Sequence, residues 1–203
     1  MHSCLEDGAK QLGISLSASQ IEKLCLYLKL IQKWNSAYNL VGTSNERDLV
    51  EKHLLDSLAI VPFVKKSPVL DVGSGAGLPG IPLAISLPDI SFTLLDANGK
   101  KTRFIRQAII ELKLANVEMV QTRIENYLPE PMPNTVISRA FAPLGEALEQ
   151  TCKVCASNGR VQIMLGIEPD EFSVPDRLDN VLVHSLTVPG LASKRHLLIA
   201  EKN

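Results

Sequence analysis

The feature that constrains the fold of this chain most is the alternation of short β-rich runs with helical segments from residue 69 onward. Continuous apolar strands that are joined through helices are typical of a parallel sheet covered on both faces. The predicted strands are VLDVG (69–73), FTLLD (92–96), VEMVQT (117–122), TVIS (135–138) and RVQIML (160–165), and the predicted helices are Gly80–Leu87, Lys100–Leu114 and Leu144–Ala156.

The last two β-rich runs are connected differently. VLVHSLTV (181–188) and HLLIAEK (196–202) are separated only by PGLASKR. Because this segment is too short for a helical crossover, we expect the two runs to pair antiparallel. The sequence therefore predicts an α/β fold with a Rossmann-like, mostly parallel seven-stranded sheet and an antiparallel C-terminal strand.

The first 66 residues have helical patterning and precede this α/β region. Apolar residues recur at helical spacing within SASQIEKLCLYLKLIQKWNSAYN, and Ser19 with Glu22 predicts a capping box at its start. A second helix is predicted in ERDLVEKHLLDSLAIVPFV. We therefore expect a helical N-terminal extension over residues 1–66 and a Rossmann-like domain over 67–203, which suits a chain of 203 residues.

Composition excludes several classes of protein. The formal net charge is −1, so nucleic acid binding requires local basic patches and not a basic surface as a whole. The sequence shows no secretory signal and no apolar run of membrane-spanning length, so we expect a cytoplasmic protein without membrane contact. The four histidines are scattered, and the C-x-x-C of Cys152 and Cys155 lacks a second pair, so we expect no metal site and a buried structural cysteine pair.

A glycine-rich loop follows the first predicted strand. VLDVGSGAGLPGIPLAI contains four glycines, which permit positive φ and let a ligand lie against bare backbone. The register Gly75-x-Gly77-x-x-Gly80 matches a dinucleotide fingerprint, and Asp96 follows at the distance of a ribose-binding acid. A Walker A loop is excluded because no Lys-Ser/Thr follows Gly80. The loop alone leaves a dinucleotide, S-adenosylmethionine and a tight structural turn as alternatives.

Other features favour S-adenosylmethionine. Asp71 lies two residues before Gly73, as in the methyltransferase pattern of an acid, an apolar residue and spaced glycines. The binding domain starts only after a helical extension, the chain leaves no room for a separate dehydrogenase substrate domain, and the antiparallel end is typical of class I methyltransferases. A nicotinamide-dependent oxidoreductase remains the less favoured alternative.

The segment after the fourth predicted strand bears on the methyl acceptor. It has the sequence Ser138-Arg139-Ala140-Phe141, and not the Asn/Asp-Pro-Pro-aromatic loop of adenine amine methylation. Guanine N7 has a free lone pair, so its methylation requires no general base. Arg139 follows a buried strand at the carboxyl edge of the sheet, where it could contact guanine, a phosphate or the cofactor carboxylate. A strand-end surface arginine is the alternative.

Local basic groups are candidates for contacts with nucleic acid. The segment GKKTRFIRQ opens a helix beside Asp96, and Arg195 precedes the last strand. Each basic run has a solvated surface as its alternative. The RNA-binding candidates are Lys100, Lys101, Arg103, Arg106 and Arg195.

The chain resembles the RsmG (GidB) family over nearly its whole length. The segments that carry the resemblance are NLVGTSNERDLVEKHLLDSL, DVGSGAGLPGIPLAI, LLDANGKKTRFIRQ, ELKLANVEMVQTRIEN, VISRAFAPL and RHLLIAEK. The resemblance implies a bacterial methyltransferase that uses S-adenosylmethionine to modify N7 of a guanine in 16S ribosomal RNA. A methyltransferase that acts on a protein or a small molecule is the alternative, and we expect a monomer that binds 16S rRNA or the small ribosomal subunit.

The resemblance also implies roles for individual residues. Arg139 and Arg123 are the predicted catalytic residues, and Arg123, Arg139 and Arg195 are expected near the RNA. His53–Ser57 is expected beside the site, with His53 equally explained as a packed helix residue. Leu165 stands where family members commonly have a lysine, which puts one RNA contact in doubt. The predicted cofactor-binding residues are Gly73, Gly75, Leu78, Asp96, Ile124, Glu125 and Arg139.

Overall fold

Seven strands form one sheet in the computed structural model, which describes residues 1–139 and 141–203. The strands are β1 (Val69–Val72), β2 (Phe92–Asp96), β3 (Val117–Gln121), β4 (Thr135–Arg139), β5 (Arg160–Leu165), β6 (Leu178–Leu186) and β7 (Arg195–Lys202). Their order across the sheet is β3-β2-β1-β4-β5-β7-β6. The first five strands run parallel, and β7 pairs antiparallel with both β5 and β6. The predicted sheet and its antiparallel end are confirmed.

The register brings distant segments to one edge of the sheet. Val72 at the end of β1 lies beside Leu95 of β2 and Ser138 of β4. Because β7 runs in the opposite direction, its second residue, His196, pairs with Leu165 at the end of β5. The carboxyl ends of the parallel strands and the start of β7 therefore meet at the same edge, where open α/β sheets bind ligands.

Helices precede the sheet along the first 63 residues. They are α1 (His2–Gln11), α2 (Ala18–Tyr38) and α3 (Glu46–Leu49), which continues through a π-helical segment (Val50–Leu55) into α4 (Asp56–Leu58) and is followed by a 3₁₀ turn (Val61–Phe63). No helix in the described residues is long and apolar enough to cross a membrane.

The predicted capping box at Ser19 and Glu22 is wrong, because α2 begins two residues earlier. Ser17 is the N-cap and forms a reciprocal capping box with Gln20. The Gln20 amide also donates to the carbonyls of Ile85 and Ser86, which a glutamate at that position would not do. The side chain of Gln20 thus closes the start of α2 and satisfies the end of the helix that follows β1.

The remaining helices cover both faces of the sheet. They are α5 (Gly80–Ser86), α6 (Gly99–Leu112) and α7 (Leu144–Val154), with a 3₁₀ turn at Ile124–Asn126. Apolar residues of the N-terminal helices, α5 and α6 form one buried cluster with one face of the sheet, whereas α7 packs on the opposite face. The N-terminal helices therefore share a core with the sheet, and the division between residues 66 and 67 stays a prediction.

Candidate active site

The glycine-rich loop between β1 and α5 adopts a backbone that requires glycine. Gly73, Gly75 and Gly77 have φ angles of 69°, 60° and 85°, in the left-handed region that side chains disfavour. A Cβ atom on Gly73 would lie only 2.7 Å from Cδ2 of Phe141. The bare backbone at Gly73 therefore lets the Phe141 ring pack against the loop.

Asp71 and Gly80 connect β1 to the start of α5. The backbone N–H of Gly80 donates to Oδ2 of Asp71 over 3.0 Å, and a Cβ on Gly80 would lie 2.7 Å from that oxygen. Asp71 is buried, and burial raises the pKa of its carboxyl to about 6, against the opposing effect of its hydrogen bonds. Oδ1 of Asp71 has no hydrogen-bond partner in the part of the chain that the structure describes. The acid before the loop thus holds the strand–helix junction.

Helix α2 supports the same loop from the other side. The hydroxyl of Tyr27 donates to the backbone carbonyl of Ala76 over 2.5 Å. Tyr27 is fully buried, and this burial raises the pKa of its hydroxyl well above the usual value. The N-terminal helices therefore fix the position of the loop, a contact that the sequence analysis did not predict.

Asp96 links the loop to the end of β2. Its Oδ2 accepts a hydrogen bond from the backbone N–H of Gly75 over 2.8 Å, and its Oδ1 accepts from the N–H of Asn98 over 2.7 Å. The side chain of Asn98 in turn caps α6. Asp96 is thereby oriented at the mouth of the loop while remaining partly exposed.

A first cavity of about 260 Å³ lies beside this loop. It brings together five residues that were predicted to bind the cofactor or to be catalytic, from three different parts of the chain, and also the side chain of Phe141. The predicted residues in its lining are Gly73, Asp96, Arg123, Ile124 and Glu125. We call this space the loop cavity.

Four predicted residues lie elsewhere than expected. Gly75 and Arg139, predicted to bind the cofactor, do not line the loop cavity. The side chain of Leu78 is buried in the core behind the loop and does not line the loop cavity, so its predicted cofactor contact stays a prediction. Lys101, predicted to contact RNA, lines the loop cavity, and its Nζ atom lies 3.9 Å from where a Cβ of Gly75 would be. Its position matches the cofactor-binding candidates better than the RNA-binding ones.

A second cavity of about 530 Å³ opens at the carboxyl ends of β4 and β5. We call it the acceptor cavity. Phe141 lines both cavities and is their shared boundary. Arg139 and Arg195 line the acceptor cavity and not the loop cavity. Leu165 lies in its apolar lining.

Asp56 holds both arginines in the acceptor cavity. An N–H of Arg139 donates to Oδ2 of Asp56 over 3.0 Å, and Nε of Arg195 lies 3.3 Å from Oδ1 without hydrogen-bond geometry. Asp56 belongs to α4, Arg139 ends β4 and Arg195 begins β7. One buried carboxylate therefore joins three elements around the cavity.

Three further polar side chains of the acceptor cavity have nitrogen or oxygen atoms without a hydrogen-bond partner among the described residues. They are His53, with both ring nitrogens unpartnered, Ser138 through its hydroxyl, and His196 through Nδ1. Burial, with a smaller effect from the Arg139 guanidinium, lowers the pKa of His53 to about 4. His53 is therefore neutral near pH 7 and can offer one donor and one acceptor.

Three RNA-binding candidates lie on an exposed surface of α6. Lys100, Arg103 and Arg106 are exposed, line neither cavity and form no ion pair among the described residues. Their spacing of three residues places them along one side of the helix. They form a basic stripe that is separate from the two cavities.

Cys152 and Cys155 lie in the core of the protein. Cys152 and Cys155 are free and buried among apolar residues, and burial raises the pKa of Cys155 to about 11. The part of the chain that the structure describes contains no cluster of three or more metal-ligating side chains. The prediction of a buried cysteine pair is confirmed.

The sequence analysis did not name Phe141 as a site residue. It expected His53–Ser57 beside the site but gave Asp56 no role of its own within that range. One feature of the sequence indicates a special role for Asp56: its carboxylate lies within HLLDSL at a helical position where an apolar residue is expected. No feature of the sequence indicates a role for Phe141. Its contact with Gly73, 68 residues away along the chain, depends on the pairing of β1 with β4.

The strand order and the glycine loop define the class I methyltransferase fold. The structure is similar to that of magnesium protoporphyrin IX methyltransferase (ChlM) from Synechocystis PCC 6803 with bound SAM, with a TM-score of 0.61 and 13% identity over 87% of this chain and 97% of that chain. At this identity the similarity shows the fold alone.

Sequence comparison identifies the family. The model of the family GidB, described as rRNA small subunit methyltransferase G, matches residues 20–198. The chain is 46% identical over 200 residues to ribosomal RNA small subunit methyltransferase G of Pseudomonas syringae pv. syringae (strain B728a), covering 98% of this chain and 94% of the relative. The same-named protein of Ectopseudomonas mendocina (strain ymp) is 47% identical over 203 residues, covering 98% and 95%. The chain belongs to the rRNA small subunit methyltransferase G family and is a methyltransferase.

Proposed function

We propose that this enzyme transfers a methyl group from S-adenosylmethionine to N7 of one guanine in the 16S rRNA of the small ribosomal subunit. The observation that carries the proposal is the adjacency of two cavities at one edge of the sheet, which share Phe141. One cavity has the glycine cradle and the acid of a cofactor site, and the other has a cationic lining. Family membership supplies the substrate class.

The residues of the loop cavity fit S-adenosylmethionine. Asp96 offers a partly exposed carboxylate at the end of β2, suited to ribose hydroxyls. Ile124 and Glu125 follow β3 with one apolar and one acidic side chain, suited to the adenine end, and the backbone of Gly73 and Gly75 permits close approach. When bound, S-adenosylmethionine supplies a methyl group activated by a positively charged sulfur.

The protein's own residues contribute position and desolvation. Guanine N7 attacks with its lone pair and loses no proton, so no residue needs to act as a base. The apolar side chains of Phe141, Met164 and Leu186 limit water around the acceptor, and confinement replaces a bimolecular encounter. Arg139, the proposed catalytic residue, would hold the base or its phosphate, and Arg123 lies at the loop cavity as the second.

The basic stripe on α6 supports contacts with RNA outside the cavities. Lys100, Arg103 and Arg106 are exposed cations on a chain whose net charge is only −1, so binding would depend on this local patch. We propose a monomer as the active unit. Since the proposed substrate is ribosomal, we place the enzyme in the cytoplasm.

Mass mapping of 16S RNA tests the proposal. RNA from a strain that lacks the gene should have lost one 7-methylguanine, and a plasmid copy should restore it. Unchanged modification in the deletion strain would contradict the proposed function. Calorimetric titration separates the cofactors, since we expect binding of S-adenosylmethionine and none of NAD.

A further inference from the structure

General affinity for RNA does not explain why a carboxylate lines the acceptor cavity. Asp56 is the only acid among the described residues that line this cavity, alongside Lys52, Arg139 and Arg195. It is 5% exposed, and a buried carboxylate requires hydrogen-bond donors. A negative charge here would oppose the approach of phosphate groups. Its value must therefore lie in contacts with a donor group of the ligand or with the arginines.

The arginines do not use the full capacity of the carboxylate. Oδ2 accepts one hydrogen bond from Arg139 at 3.0 Å, whereas Oδ1 forms none, although Nε of Arg195 is 3.3 Å away. Ionised carboxylates accept at both oxygens, and buried polar atoms are normally satisfied. Arg139 thus orients the group through one acceptor site of Oδ2 and leaves the other site of Oδ2, and Oδ1, with capacity for two donors from the ligand.

Other side chains point independently to a polar ligand in the same cavity. The hydroxyl of Ser138 and Nδ1 of His196 are buried and have no hydrogen-bond partner within residues 1–139 and 141–203, and both residues are more than nine-tenths buried. Such groups are matched by a flat heterocycle with several donors and acceptors. A cavity of about 530 Å³ accommodates one nucleotide and not a stacked helix.

We infer that Asp56 recognises the acceptor base by accepting hydrogen bonds from N1–H and the 2-amino group of guanine. This inference rests on the proposed function. Guanine presents these two donors side by side on its Watson–Crick edge, away from N7, which stays free for the methyl group. Adenine presents a lone pair at N1, which would face the carboxylate and be repelled. Asp56 is thereby a residue that determines specificity for guanine over adenine.

Replacement of the target guanine by inosine tests the assignment. Inosine retains N7, O6 and N1–H and lacks only the 2-amino group. We expect the wild-type enzyme to methylate small-subunit RNA with guanine at the mapped position about tenfold faster, in kcat/KM, than the same RNA with inosine. In Asp56→Asn, whose amide replaces one acceptor by a donor, we expect this ratio to fall below about threefold.

A matched control separates recognition from support of the fold. Glu201→Gln removes a carboxylate that pairs with Arg160 at the opposite end of β5 and β7, and its guanine-to-inosine ratio should equal that of the wild type. If Asp56→Asn is slower on both RNAs by the same factor, Asp56 acts only through the arginines and the inference is overturned. Should this variant not fold, Asp56→Glu, which displaces the carboxylate by one methylene group, is assessed by the same ratio.

The wild-type enzyme alone distinguishes the two levels of failure. Transfer to guanine RNA with equal transfer to inosine RNA overturns the role of Asp56 and leaves the proposed function intact. Absence of transfer to either RNA, with S-adenosylmethionine bound, overturns the proposed function and the inference with it.

Discussion

At the residue scale, the loop cavity depends on the absence of a side chain at Gly73. Alanine is disfavoured there by the φ of 69° and by the distance of only 2.7 Å that would separate its Cβ from Cδ2 of Phe141. We expect Gly73→Ala to lower the free energy of unfolding by about 1–2 kcal/mol. The affinity for S-adenosylmethionine should fall about tenfold or more, since the backbone must move, and calorimetric titration measures this. Gly42→Ala, where no atom lies within 4 Å of a Cβ, is the control.

Asp96 carries the proposed contact with ribose and also fixes the loop. Asp96→Ala removes the acceptor for the N–H groups of Gly75 and Asn98. We expect at least about a tenfold loss of cofactor affinity in calorimetry, because hydrogen bonds to a charged group are among the stronger ones. Asp89→Ala, an exposed acid near the start of β2, should bind normally. Unchanged affinity in Asp96→Ala would remove the ribose assignment.

The buried carboxyl of Asp71 predicts a pH-dependent stability. Its pKa of about 6 in the folded state exceeds the usual value of 3.8, so folding favours the protonated form. The stabilisation of the folded state by this carboxyl is fully present below pH 3.8 and is lost as the pH rises through 6. The total loss in the free energy of unfolding is about 3 kcal/mol. Asp71→Asn should therefore gain stability relative to the wild type by about this amount between about pH 4 and pH 7 in urea unfolding. Parallel profiles of the two proteins would refute this.

His53 changes the stability of the folded state with pH in the opposite direction to Asp71, over an overlapping pH range. Its pKa is lowered from 6.5 to about 4, so its contribution is present above pH 6.5 and is lost as the pH falls. The two groups therefore offset each other in the wild-type protein. The comparison with Asp71→Asn, with Asp89→Asn as a surface control, isolates the carboxyl.

At the element scale, α2 supports the glycine-rich loop between β1 and α5 through Tyr27. Tyr27→Phe removes the hydrogen bond to Ala76 and leaves its carbonyl buried without this donor. We expect a loss of about 1–2 kcal/mol in unfolding free energy and a several-fold weaker affinity for S-adenosylmethionine. Tyr38→Phe, on the same helix and with no hydrogen bond from its hydroxyl among those described, should change neither measurement. An affinity equal to the wild type in Tyr27→Phe would show that α2 only covers the core.

The elements were predictable where local patterning determines them. FTLLD (92–96) coincides with β2, because an apolar run bounded by polar residues leaves little freedom in its limits. The start of α2 was misplaced because two serine-initiated boxes compete, and the choice of Ser17 depends on Gln20 reaching α5. Periodicity gave no signal for the π-helical segment Val50–Leu55 that precedes Asp56.

The candidate site was predictable only where its residues lie at or just after the ends of strands. Gly73, Asp96 and Glu125 follow strand ends, which the order of elements brings together. The pairing of Asp56 with Arg139 joins residues 83 positions apart through the packing of helices on the sheet. No spacing within the sequence encodes that distance.

At the scale of the whole molecule, the near-neutral net charge means that the proposed RNA binding should depend on the basic stripe on α6. Replacing Lys100, Arg103 and Arg106 by glutamine should weaken binding of small-subunit RNA. It should also lower the slope of log K against log salt by about 2–3. Filter binding at several salt concentrations measures both, and S-adenosylmethionine affinity should be unchanged. A matched triple variant at Lys23, Lys29 and Lys33 on α2 should bind RNA as the wild type does, and equal effects of the two would indicate non-specific attraction.

Strand β7 is the last strand to be synthesised but lies inside the sheet, so the strands cannot assemble in the order in which they are made. β6 is made before β7, yet it pairs only with β7, which lies between it and β5. A nascent chain that ends before residue 195 therefore has an unpaired edge on β5 and a β6 segment with no neighbour. The sheet closes by insertion of a late strand into its interior, and that strand carries Arg195 and His196. A partly synthesised chain is thus both prone to edge-to-edge association and unable to form the acceptor cavity.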